Sequence, residues 1–171
     1  MNKDIKSLWP SLTEIGLPTE IAPIQILQEQ AAAIGEGTYN IIEGQVITEK
    51  TYYNNMIPTT GLESILSPNE ILPLSNRTDI FPESNDYIRH SLFLRTPIIS
   101  GYKYRVLSII HKVTDLYPAK IQSEINGVKV VDKTSSSSED LKILLQETLH
   151  SKEVMSVLSS LLAQSGYRKA A

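Results

Sequence analysis

The chain has 171 residues, 41% of them hydrophobic and 20% charged, with a net charge of −3 and no cysteine. That length suits one domain with a substantial core, and the missing cysteines exclude disulfides, thiolate metal sites and cysteine nucleophiles. No apolar run is long enough to span a bilayer, and Met1–Lys6 lacks the apolar stretch of a signal peptide, so a cytoplasmic protein is expected.

Residues 1–20 read as an irregular lead-in, because Trp9-Pro10 and Leu17-Pro18 favour extended or turn conformations before each proline. Trp9 is expected to pin this segment to the body. A helix is predicted from Ala22 to Ile34, with Ile24, Leu27, Ala31 and Ile34 forming its apolar stripe and Pro23 in the first turn. Gly35-Glu36-Gly37 is expected to end it as a glycine cap; a phosphate loop would follow a strand instead of a helix. Thr38–Thr48 reads as a strand, with Gly44 marking a bulge or bend. A short extended piece around Tyr52–Ile57 is placed beside it. Residues 58–86 contain Pro58, Pro68, Pro73 and Pro82 and read as an irregular insertion with helical turns near Leu62–Leu66 and Asn69–Leu72. Asn76-Arg77-Thr78 fits the glycosylation pattern and is taken as chance without an export signal.

Tyr87–Arg95 and Tyr102–Val113 read as two strands joined by a turn through Thr96–Gly101. Asp115-Leu116-Tyr117-Pro118 then leads into a second hairpin, whose Asn126-Gly127 suits a two-residue type I′ turn. The register predicted there pairs Ile125 with Val128, Glu124 with Lys129, Ser123 with Val130 and Gln122 with Val131. Ile121, Ile125, Val128 and Val130 then share a face. A polar connector, Thr134–Ser138, ends in a helix cap of the Ser136/Glu139 or Ser137/Asp140 type. Leu141, Leu144, Leu145 and Leu149 form the stripe of one helix. A second helix starts near His150-Ser151, carries Val154, Val157, Leu158, Leu161 and Leu162, and ends at Gly166. These elements predict an α+β fold in a single domain, 1–171. It is a mainly antiparallel sheet of successive hairpins, with an N-terminal helix and two C-terminal helices packed on one face.

Charge is unevenly spread. Residues 1–86 hold four basic and twelve acidic residues, a net of −8; residues 87–113 hold five basic and none acidic; residues 114–171 hold seven of each. An odd-with-odd register for the central hairpin puts Ile88, His90, Leu92 and Leu94 with Tyr104, Val106, Ser108 and Ile110 on a core face. The opposite face then carries Tyr87, Arg89, Ser91, Phe93 and Arg95 with Lys103, Arg105, Leu107, Ile109 and His111. From it we select Tyr87, Arg89, Phe93, Arg95, Lys103, Arg105 and His111 as a candidate ligand-binding set, since cations interleaved with aromatics suit carboxylate, phosphate or an acidic surface. The competing expectation is neutralisation within the chain, by Glu36, Glu43 or the 79–86 segment with Asp79, Glu83 and Asp86.

Catalytic motifs are missing from the pattern. His90, His111 and His150 have no metal-ligand spacing and are expected on different elements, so no metal or cofactor is expected. No Gly-x-Ser-x-Gly elbow is present; His111 with Asp115 is the one arrangement resembling an oriented base. The composition leads to a non-enzymatic binding protein that self-associates or engages an acidic protein partner through its sheet. Small-anion binding at the basic face of residues 87–111 is the alternative, and a hydrolase using a His–Asp pair the third. Net negative charge disfavours nucleic acid, and no membrane partner is expected.

Overall fold

The computed structural model describes residues 10–16, 18–52 and 86–166. Trp9, the extended piece beyond Tyr52, the turns near 62–66 and 69–72 and the rest of the insertion through residue 85 lie outside the described residues. The elements run α1 (Leu12–Ile15), α2 (Pro23–Gly37), β1 (Glu43–Tyr52), β2 (Asp86–Arg95), β3 (Lys103–Lys112), β4 (Ala119–Ile125), β5 (Val128–Ser135), α3 (Ser138–Leu149) and α4 (Lys152–Gln164). The fold is α+β. Five strands form an antiparallel meander in the order β1-β2-β3-β4-β5, each paired with its neighbour in sequence. Among the described residues no helix is long and apolar enough to cross a membrane.

The core lies between one face of the sheet and the helices. Leu92, Leu94, Leu107, Ile109, Ile121 and Ile125 from the strands meet Ile26 and Leu27 of α2, Leu141 and Leu145 of α3, and Val154 and Leu161 of α4. Helix α2 crosses β1 at Gly44: a Cβ built there would stand 2.5 Å from the Cα and carbonyl oxygen of Ala31. Gly44 therefore marks close helix approach rather than the expected bulge. The strand it belongs to begins at Glu43, five residues later than predicted.

Helix α2 also runs through its glycines. It continues to Gly37 with Thr38 as C-cap, and the left-handed residues that follow are Tyr39 (φ 53°) and Asn40 (φ 59°). Thr38 makes the turn possible: its hydroxyl donates to the carbonyl of Ile34 at 2.7 Å and accepts from the Ile42 amide at 3.2 Å. Gly35 is buried, with Asn40 Oδ1 only 3.2 Å from where a Cβ would sit, so packing rather than backbone conformation selects glycine there. The C-terminal caps follow the predicted chemistry. Ser137 accepts from the Asp140 amide and the Asp140 carboxylate accepts from the Ser136 amide; Ser151 likewise accepts from Val154.

Two β-bulges change the expected registers. In β4–β5 the turn-proximal pairs Ile125–Val128 and Glu124–Lys129 are as predicted, but beyond them Ser123 faces Val131 and Gln122 faces Asp132. Val130 is the additional residue. The shift buries Val131; Val128, beside the turn in its predicted pairing, is 51% exposed. In β2–β3, Phe93–Arg105 and Arg95–Lys103 keep the odd-with-odd register, whereas Leu92 pairs with Leu107, His90 with Ile109 and Ile88 with His111. Val106 is the additional residue here. The physical reason is in the sequence Val106-Leu107: both side chains are buried, and only a bulge lets adjacent residues of a strand face the same side.

Candidate functional site

The seven predicted site residues fall into three groups, of which the bulge at Val106 separates one, His111. Phe93, Arg95, Lys103 and Arg105 remain together on the second face, away from the helices. Tyr87 and Arg89 share that face but sit six and four residues back along β2, roughly 20 and 13 Å from Phe93 at the rise of a strand. Between the two ends the second face is closed to solvent: Thr51, Ser91, Ser108 and Ile110 are buried, and Ser91 and Ser108 exchange a hydroxyl hydrogen bond of 2.8 Å. Arg89 is neutralised by Glu49 of β1, at 3.4 Å. Asp86, one of the acidic residues expected to neutralise this face, pairs instead with Lys50 of β1.

His111 leaves the basic face altogether. In the shifted register it lies on the helix face, diagonal to His90, with both rings about 4% exposed and their Nε2 atoms 3.0 Å apart. This corrects the placement of the two histidines on opposite faces. His111 Nδ1 has two carbonyl oxygens before it, Lys112 at 2.7 Å and Asp115 at 3.0 Å, so Nδ1 carries the proton and Nε2 the lone pair. His90 must then donate from Nε2. Its Nδ1 accepts from the Thr48 hydroxyl at 2.9 Å. With both rings neutral, every member of the chain Thr48–His90–His111–carbonyl has its partner. Burial first, and the neighbouring His111 second, lower the His90 pKa from 6.5 to about 4.

The expected His111–Asp115 dyad takes a different form. Asp115 meets the ring through its peptide oxygen, and its carboxylate accepts from the Thr114 hydroxyl at 3.1 Å. Ser108 is on the other face, bonded to Ser91. His150 donates its Nδ1–H to the Gln146 carbonyl at the end of α3. No three His, Asp or Glu side chains converge among the described residues.

The far end of the ribbon is the strongest candidate surface. Arg95, Lys103 and Arg105 are exposed, and no ion pair involving them is found among the described residues. Arg95 stands directly opposite Lys103, and Phe93 opposite Arg105. Two like charges in directly opposed positions repel. The Lys103 ammonium leans instead over the Phe93 ring, 4.4 Å from its centroid. Glu43 is the neighbour of Arg95 on the β1 side. Beyond the strands, Ile98 at the hairpin tip is 61% exposed. Sequence periodicity located these four residues but grouped with them Tyr87 and Arg89, which lie further along β2, and His111, which the bulge sends to the other face. The signal for the difference was the adjacent apolar pair Val106-Leu107, which strict alternation leaves unexplained. Comparison with protein-family models, curated proteins and solved structures found no match to this chain.

Proposed function

We propose that this protein is a non-enzymatic binding protein that engages an acidic protein partner through the far end of its β2–β3 ribbon. The observation that carries the reading is the direct opposition of Arg95 and Lys103, with Arg105 and Phe93 beside them, all on one face. Carboxylates from a partner relieve that repulsion and gain charge-assisted hydrogen bonds from the two guanidinium groups. Arginine and aromatic side chains, with an exposed Ile98 at the tip, also match the residues that carry most energy in protein interfaces. The acidic N-terminal half gives the chain a general repulsion toward anions, so attraction is local to this end and strongly salt-dependent.

A small anion held by the same three cations is the second reading, favoured by the same like-charge pair. Both readings are tested with a fluorescent polyglutamate peptide and with inorganic phosphate, each against wild type and Arg95→Glu/Lys103→Glu/Arg105→Glu. The protein-partner reading expects the peptide to bind the wild type at low salt, at least ~10-fold more weakly to the variant, with phosphate having little effect. Saturable phosphate binding lost in the variant favours the small-anion reading. Equal peptide affinity for both proteins overturns the proposal.

A further inference from the structure

On the other side of the sheet, helices α2 and α4 stand apart over the bulged part of the ribbon. The space between them is a cavity of about 270 Å³. Its floor is Leu92, Leu94 and Val106, its walls include Ile34 of α2 and Leu158 of α4, and Met155 stands at the rim, 49% exposed. Val106 reaches this floor because it is the residue added by the bulge. The same irregularity that separates the predicted basic site thus shapes the apolar one.

Two polar residues join the lining, Gln30 and His150. His150 Nδ1 is committed to the Gln146 carbonyl, which in the neutral ring leaves Nε2 as an acceptor; Gln30 contributes an amide able to donate and accept. A half-open apolar pocket with a few hydrogen-bonding groups is the usual composition of a small-molecule site. The volume limits the occupant. A cavity of ~150 Å³ takes benzene, and drug-sized ligands fill roughly 300–1,000 Å³.

We infer that the pocket between α2, α4 and the β2–β3 bulge binds a small aliphatic molecule with one hydrogen-bonding end that can both donate and accept, of the class of medium-chain alcohols. The aliphatic chain lies on Leu92, Leu94 and Val106, and the polar end meets Gln30 and His150. Met155, unbranched and adaptable, adjusts the mouth to chains of different length. This site is on the opposite face from the cationic end and stands independently of the acidic-partner reading.

The test follows methyl resonances of the full chain during titration with 1-octanol. Saturable shifts confined to Leu92, Leu94, Val106, Met155 and Leu158 are expected. Met155→Trp, at a half-exposed rim position, is expected to abolish them without lowering the thermal midpoint of the free protein. Gln30→Leu/His150→Leu is expected to weaken 1-octanol up to about tenfold, with cyclohexane, which has no polar end, bound equally by both proteins. Absence of saturation up to the solubility limit overturns the inference, as do shifts spread over exposed methyls such as Ile15, Val128 and Ile143. Concentration-dependent self-association on adding octanol, with no shift in the floor methyls, overturns it as well.

Discussion

A neutral imidazole offers one donor and one acceptor, and the surroundings of His90 use both. Protonating His90 adds a hydrogen at Nδ1, where the Thr48 hydroxyl must turn from donor to acceptor, and places charge in a buried site. The sign of the pH effect follows from the lowered His90 value. Below about pH 6.5 the unfolded chain takes up a proton that the folded chain refuses until about pH 4. This contribution is therefore neutral above 6.5, becomes destabilising as pH falls, and stops growing below about 4, at no more than ~1.4 kcal/mol per unit. His90→Phe removes this proton uptake and leaves His111 Nε2 without its donor, a loss of about 1–3 kcal/mol at neutral pH. Urea midpoints measured across this window are expected to fall more steeply for wild type than for His90→Phe. Parallel slopes would show that His90 is not the titrating group.

Among the elements, the α2–β1 crossing is the tightest contact. A methyl on Gly44 meets the backbone of Ala31 instead of a movable side chain. Gly44→Ala is expected to destabilise by at least ~2 kcal/mol, and Ala31→Gly to recover little of it, because the Cα and carbonyl oxygen stay in place; denaturant unfolding of the two variants checks this. The β4–β5 turn depends on conformation instead of space. Asn126 and Gly127 have φ of 52° and 77°, and nothing stands near Gly127, so Gly127→Ala should cost about 1–2 kcal/mol without disturbing any neighbour. At the cationic end of the ribbon, Lys103→Glu replaces a like-charge pair with an opposite one but gives up the contact with Phe93. Those effects oppose each other, so stability is expected to stay within about 0.5 kcal/mol while affinity for the polyglutamate peptide falls. A thermal melt and a binding titration on the same sample separate the two.

For the whole molecule, helices on one face leave the sheet with two distinct environments. The helix face holds the core, the histidine chain and the apolar cavity; the second face holds buried serines in its middle and cations at its far end. β3 is central enough to be buried on both sides, with six consecutive buried residues from Val106 to His111. Such a strand hides its register from an alternation argument, because apolar residues occur in sequence on both faces. That is why Ile109 and Ile110 gave no warning of which side each would take.

Helix caps, turn residues and periodic stripes determined the element types, the α+β class and the position of the central ribbon, since these depend on neighbours a few positions away in the chain. The Asn126-Gly127 turn, the Ser137 and Ser151 caps and the cluster Phe93, Arg95, Lys103 and Arg105 were legible for that reason. Tertiary structure decided the two bulges, the length of α2 and the pairing of His90 with His111. Each depends on contacts that strict periodicity does not show: α2 continues through Gly37 because Gly35 packs against Asn40 and Thr38 closes the turn, and β3 takes an additional residue because Val106 and Leu107 both bury on the helix face. A single inserted residue reverses the faces of everything beyond it. The sequence therefore identified a basic ribbon, and only the packed sheet determined which of its side chains meet.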